Sequence, residues 1–186
     1  TRYAERKKWK VEVIEKNEEG ATVVTKIKAG DMVTCNLNSI NLGRVEIEDL
    51  KNTIPLQIRM LDNVITLNQF PVSEARITSD KYRAIGLGTS GYHHYLVNHG
   101  IPWESEEHFL EADRLYEEIA YEGIKASMEI AKEKGAYPEF AGSEWENGKY
   151  FEKRGYNGER WLQLKEDVKK YGLRTGYLFA VPPPGS

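Results

Sequence analysis

The stretch that most restricts the fold begins at Ser105. A serine followed by Glu106 and Glu107 marks a helix start, because its hydroxyl can accept from an unpaired N–H and the acids favour the positive end of the helix dipole. From there Phe109, Ala112, Tyr116, Ile119, Ala120, Ile124 and Ala131 recur at helical spacing until Gly135. The helix is amphipathic, with a strongly charged outer face. It commits the chain to a helix-rich fold and gives a membrane role little support.

Strands are expected at both ends. Residues 11–14 and 21–27 are β-branched runs around Glu18-Glu19-Gly20, which predicts a hairpin. Residues 1–10 read as basic and irregular, and residues 32–35 as a short apolar strand ending at Cys35. Beyond Gly43 the period changes. Val45, Ile47 and Leu50 predict a short helix interrupted before Pro55; Ile58, Leu61, Val64 and Ile65 predict the next, ended by Phe70-Pro71. Ser79-Asp80 is expected to cap a helix running toward Asn98-His99-Gly100. A last helix carries Trp161, Leu164, Val168 and Tyr171 and stops at Gly172. Residues 177–181 read as a buried strand, followed by Pro182-Pro183-Pro184-Gly185-Ser186. A chain that stops there is expected to be part of a longer domain. The fold class is mixed α/β and helix-rich.

Composition removes several functions. With 26 basic and 29 acidic residues the net charge is −3, so the basic excess that neutralises phosphates is missing and no nucleic-acid polymer is expected as partner. Cys35 is the single cysteine, which excludes an intramolecular disulfide and a multi-cysteine zinc site. Sparse cysteine without a signal-like N-terminus fits a cytoplasmic protein.

Most motifs have plain structural explanations. Gly86-Leu87-Gly88-Thr89-Ser90-Gly91 has the spacing of a dinucleotide fingerprint, which needs a strand before it and a helix after it. Residues 79–84 read instead as a helix start, so close packing of two helices is preferred to a nicotinamide site. His93 and His94 point about 100° apart on a helix, and with His99 and His108 they lack metal-ligand spacing, so no metal is expected. Glu117, Glu118, Glu129 and Glu133 belong with Lys125 and Lys132 to a solvated face. Trp145, Tyr150, Phe151 and Trp161 read as core or loop anchors. Cys35 stands apart. Ahead of the polar loop Asn36-Leu37-Asn38-Ser39, it occupies the kind of junction where α/β proteins mount functional side chains, although thiol chemistry there needs a lowered pKa.

Four blocks, in order and spacing, resemble the large catalytic subunit of ribonucleotide reductases: Ala29-Gly30-Asp31-Met32-Val33-Thr34-Cys35-Asn36-Leu37-Asn38-Ser39-Ile40-Asn41-Leu42-Gly43, Arg83-Ala84-Ile85-Gly86-Leu87-Gly88, Ala126-Ser127-Met128-Glu129-Ile130-Ala131-Lys132-Glu133-Lys134-Gly135-Ala136, and Tyr171-Gly172-Leu173-Arg174-Thr175-Gly176-Tyr177-Leu178-Phe179-Ala180-Val181. The resemblance implies that residues 17–186 are part of a ten-stranded α/β barrel, with 1–16 an irregular basic segment before it. It implies radical-based reduction of the ribonucleotide 2′-hydroxyl. Cys35 would be one thiol of the pair oxidised to a disulfide, and Gly185 and Ser186 would open the loop holding substrate phosphate. No cofactor is expected on this chain itself. The family implies a thioredoxin- or glutaredoxin-type reductant, a small radical-generating subunit, the remaining part of the large subunit and a ribonucleotide substrate.

The departures are as informative. The family's thiyl-radical cysteine, the partner of Cys35 and the re-reducing C-terminal thiols have no counterpart in a chain with one cysteine. Pro184 replaces the threonine usual at the phosphate loop. The chain is therefore expected not to run the reaction alone. The alternative is a non-catalytic binding or structural module derived from a reductase fragment, whose uncovered strand edges and apolar faces would favour a partner.

Overall fold

A computed structural model describes the backbone of residues 9–16, 20, 22–28 and 30–183, with side chains at 20 and 30–183. The chain divides into two units, residues 1–34 with 69–79 and residues 35–68 with 80–186.

In the first unit, strands β1 (Trp9–Lys16) and β2 (Thr22–Lys28) pair antiparallel, from Trp9↔Lys28 to Lys16↔Thr22, with one slip of register between Val13 and Glu15. This is the expected hairpin, but longer. Residues 9–16 are strand rather than the irregular segment expected up to residue 16, since the β-branched run supports a ladder beyond its own ends. Residues 17–19 of the turn lie outside the described residues. The strand expected over 32–35 is absent, because the segment finds side chains rather than a backbone partner. The Met32 N–H donates to Thr78 Oγ1 at 2.8 Å, and the Thr34 and Ser79 hydroxyls meet at 3.2 Å.

The second unit is built on parallel strands. β3 (Leu37–Asn41) pairs in register with β4 (Gly86–Ser90), from Leu37↔Gly86 to Asn41↔Ser90. Residues 177–180 add a third parallel line: Ile85 N–H donates to Tyr177 O, Leu87 N–H to Leu178 O and Ala180 N–H to Leu87 O, at 3.0, 2.8 and 3.1 Å. The buried strand expected there holds only at its centre, with Leu178 buried and Tyr177 and Val181 exposed. Parallel neighbours need long crossovers, and helices supply them. Among the described residues the three lines do not close into a barrel.

The run from Gly86 to Ser90 is therefore strand, not the helix packing expected, and Gly91 is the turn after it. Helix α2 (Ser73–Tyr82) ends before it, Arg83 turns the chain at φ 46°, and α3 (Tyr92–Asn98) follows Gly91. Helix α1 (Leu50–Leu67) passes through Pro55 without the expected break. Its buried face of Leu50, Ile54, Ile58, Leu61 and Ile65 outweighs one lost bond to Lys51, a residue on the exposed side.

Helix α4 (Glu106–Lys134) starts and stops as expected: Ser105 Oγ accepts the His108 N–H at 3.1 Å, and Gly135 ends it at φ 84°. It is tied to α1 by a two-pronged pair, Arg59 to Glu133, at 2.7 and 2.6 Å. The buried stripe runs through Leu115, Ile119, Ile124 and Ile130, whereas Phe109 and Tyr116, expected within it, are exposed. A Cβ on Gly123 would lie 2.7 Å from the Phe179 ring, so this glycine lets the third line seat on α4. Two shorter helices follow: α5 (Lys149–Arg154) and α6 (Glu159–Tyr171), the second burying Trp161, Leu164 and Val168 as expected but leaving Tyr171, expected on the same face, exposed. Among the described residues no helix is long and apolar enough to cross a membrane.

Candidate functional site

From residue 35 to 38 exposure alternates: Cys35 and Leu37 are open, Asn36 and Asn38 half-buried. That period of two places Asn36 toward the helices, where its Nδ2 donates to Leu61 O at 2.9 Å, and Cys35 on the opposite, open face. Cys35 is a free, exposed thiol. It precedes a strand, where the sequence pattern had it end one.

Two glycines of β4 share that open face. A Cβ on Gly86 would stand 2.2 Å from Leu37 Cδ2 and 2.9 Å from Ala180 Cβ. On Gly88 it would stand 2.2 Å from Pro182 Cδ and 2.5 Å from the Ala180 carbonyl oxygen. The sheet thus keeps β4 bare so that Leu37, Ala180 and Pro182 can lie over it. Gly88→Ala is expected to lower stability by about 1–3 kcal/mol, because a proline ring and a backbone carbonyl must both move, as overpacking requires. Urea unfolding of the variant measures this.

Gly185 and Ser186 lie outside the described residues. Pro182 and Pro183, which lead to them, are described, and Pro182 rests on the face that carries Cys35. Counted along the strands, the thiol level and the Gly88–Pro182 contact are four residues apart, or about 13 Å.

At the start of the strands sits a buried ion cluster. Asp62 of α1 is fully buried and receives Arg83 Nε at 2.8 Å, Arg174 Nε at 2.9 Å and Lys134 Nζ at 3.0 Å. Arg83 also donates to Thr66 Oγ1 at 2.9 Å, and Arg174 to the Lys134 and Gly135 carbonyls closing α4. Burial pushes the Asp62 carboxyl upward, but the hydrogen bond from Lys134 and the charge of Arg83 hold it below the usual carboxylate range. Burial lowers Arg83 from its ordinary value. Nothing in the sequence pattern picked out Asp62. A lone acid among Leu61, Val64 and Ile65 on a helix's apolar face was the available signal.

The remaining motifs resolve structurally. Gly86 and Gly88 of the dinucleotide-like run lie inside a strand beneath Leu37, Ala180 and Pro182, and Gly91 turns the chain into α3 at φ 69°. Among the described residues no three His, Cys, Asp or Glu side chains converge as metal ligands. His93 and His108 lie against the Trp103 ring, with centroids 5.8 and 4.7 Å away, and His99 against Tyr95 at 4.1 Å. Glu117 and Glu118 hold Arg160, Glu117 also takes the Trp161 Nε1–H, and Glu129 and Glu133 are paired with Lys132 and Arg59. An open cavity of about 1010 Å³ lies beside Glu117 and Arg160, walled by Tyr116, Tyr156, Trp161 and Phe179.

A family profile described as "Ribonucleotide reductase, barrel domain" matches residues 11–186. The chain belongs to that family. It is 50% identical over 167 residues to the ribonucleoside-diphosphate reductase subunit alpha of Treponema pallidum, covering 88% of this chain and 20% of the relative. It is 41% identical over 179 residues to the subunit alpha of Helicobacter pylori, covering 88% and 23%. The large subunit of vaccinia virus is 30% identical over 168 residues, covering 85% and 22%. The chain thus spans about a fifth of the length of these reductase-family relatives. The match begins within β1, so the family pattern includes most of the hairpin as well as the parallel strands.

Proposed function

We propose that this chain supplies one redox thiol and the approach to the phosphate loop of a ribonucleoside-diphosphate reductase large subunit. The observation that carries the reading is the shared open face: an exposed Cys35 and the Pro182 lead-in on one side of the two parallel strands and the line bridged to them, in a chain of this family. Their separation of about 13 Å along the strands is on the scale of a nucleotide. The substrate class follows the names of the relatives, which are diphosphate reductases.

In this reading the substrate's 2′ C–O bond is replaced by C–H, and the hydroxyl leaves as water. Two thiols lose two electrons and two protons and become a disulfide. Cys35 supplies one thiol. This sequence has no second cysteine, so the partner thiol and the thiyl-radical cysteine come from the remaining part of the large subunit. A small radical-generating subunit starts the reaction, and a thioredoxin- or glutaredoxin-type protein re-reduces the disulfide by thiol exchange. Backbone N–H groups at Gly185 and the Ser186 hydroxyl meet the substrate phosphate.

The test is thiol labelling in the assembled reductase without external reductant. Cys35 should react with an alkylating reagent before substrate is added and become protected after one turnover, with dithiothreitol restoring its reactivity. Undiminished labelling after deoxynucleotide has formed would sink the reading.

A further inference from the structure

We propose that Asn36 is the positioning residue for the Cys35 thiol. The chain approaches β3 through residues 31–36 without strand pairing. On the β3 side of Cys35 the chain is held at Asn36, and it is held there twice. Its carbonyl oxygen accepts the Gly86 N–H at 2.9 Å, and its side-chain amide donates to Leu61 O at 2.9 Å. One bond reaches β4 and the other α1. Neither involves Cys35, whose side chain leaves from the opposite face.

The two anchors belong to the same unit of the chain. Leu61 is buried and precedes Asp62, the centre of the ion cluster; Gly86 follows three residues after Arg83, which donates to Asp62. The cluster that ties α1 to the start of β4 therefore holds both ends of the grip on Asn36. The half-buried setting of the amide strengthens the bond, and the Leu61 carbonyl, which also serves α1, keeps its helical partner when the amide is removed. Disulfide formation needs sulfur atoms in a narrow geometry, so a thiol next to a doubly clamped residue keeps one direction of approach. Asn36 confines the Cys35 Cα–Cβ direction, and the thiol needs no hydrogen bond of its own. The catalytic meaning rests on the reading of Cys35 as a redox thiol; the clamp itself does not.

Because Cys35 is the only cysteine, a nitroxide attached to it reports on a single site. Asn36→Ala and the equally shaped Asn36→Asp both remove the donor to Leu61. In each, the immobilised component of the electron paramagnetic resonance spectrum, relative to the mobile one, should fall about fivefold, the effect of one ordinary hydrogen bond. Amide exchange at Gly86 should quicken in parallel, and the melting transition should remain cooperative. Asn38→Ala is the control: it lies on the same packed face, its Oδ1 has no partner, and it should leave the label unchanged. An unaltered spectrum in both Asn36 variants, or equal loosening by Asn38→Ala, overturns the proposal. Should Asn36→Ala fail to fold, Asn36→Asp and the Gly86 exchange rate decide it. No step involves turnover, so a reductase assay without activity bears on the functional reading alone.

Discussion

Replacing Asp62 with asparagine is expected to destabilise the protein by about 3–5 kcal/mol, the cost of leaving a buried charge without its partner. The stranded group is Arg83, only 7% exposed, with Arg174 at 14% and Lys134 at 33% beside it. One carboxylate offsets three cations, so its loss leaves repulsion as well as desolvation. Against a typical stability of about 5–15 kcal/mol this is a large fraction. Urea unfolding at neutral pH should show a lower midpoint with unchanged slope. Removing Arg83 as well should recover part of the loss, a coupling that a double-mutant cycle measures directly. Additive losses would mean that the pair does not act as a unit. The same carboxyl sets an acid limit. It titrates below its unfolded value of about 4, so its contribution is complete above that pH and is lost as pH falls through the lower folded value. The acid-side fall in stability should be shallower in Asp62→Asn than in the parent.

Cys35→Ser is expected to have the opposite signature. The residue is exposed and the replacement nearly isosteric, so stability should stay within about 0.5 kcal/mol. Activity should not survive. In the function proposed above, a serine hydroxyl cannot form the disulfide that supplies the electrons, so repeated turnover of the assembled reductase should fall to background. The readout is deoxynucleotide formed per enzyme with reductant in excess. Parent-level turnover in Cys35→Ser would remove the thiol from the mechanism and favour a structural role for the chain. Asp62→Asn fails by unfolding, Cys35→Ser by chemistry, and the two measurements keep the failures apart.

The contrast also shows what the sequence made legible. Helix α4 could be read because its signals are local: a capping serine, acids in the first turn and a glycine stop, all within one stretch of chain. The hairpin and α6 were legible for similar reasons. Strand β4 was not, because Gly86 and Gly88 carry no side chain to show a period of two, and the reason for their bareness lies at Leu37, Ala180 and Pro182, far away in sequence. Strand β3 was displaced because Leu37-Asn38-Ser39-Ile40-Asn41 is polar, while the apolar 32–35 run attracted the assignment. Asn36 just before β3 and Asn38 within it are half-buried, and Asn36 meets a carbonyl of α1. Phe109 and Tyr116 matched the helical period but not the buried stripe, since the packed face of α4 is set by where α1 and Phe179 meet it. Cys35 was legible as a candidate from its junction and its resemblance. Asn36 and Asp62 were not, because their importance exists only once three distant segments have met.

That meeting has a consequence for how the protein reaches its fold. The hydrogen bonds on Asp62 close loops of 21, 72 and 112 residues, and β4 pairs with β3 across nearly fifty positions. Helices form from neighbours in the chain, whereas these contacts must wait until long loops have been brought together. The ion cluster and the parallel ladder are therefore expected to form late. Until they close, the row of amide and carbonyl groups along β3 stands open to any strand that arrives first, and the correct pairing is sealed only when Arg83 and Arg174 reach their shared carboxylate.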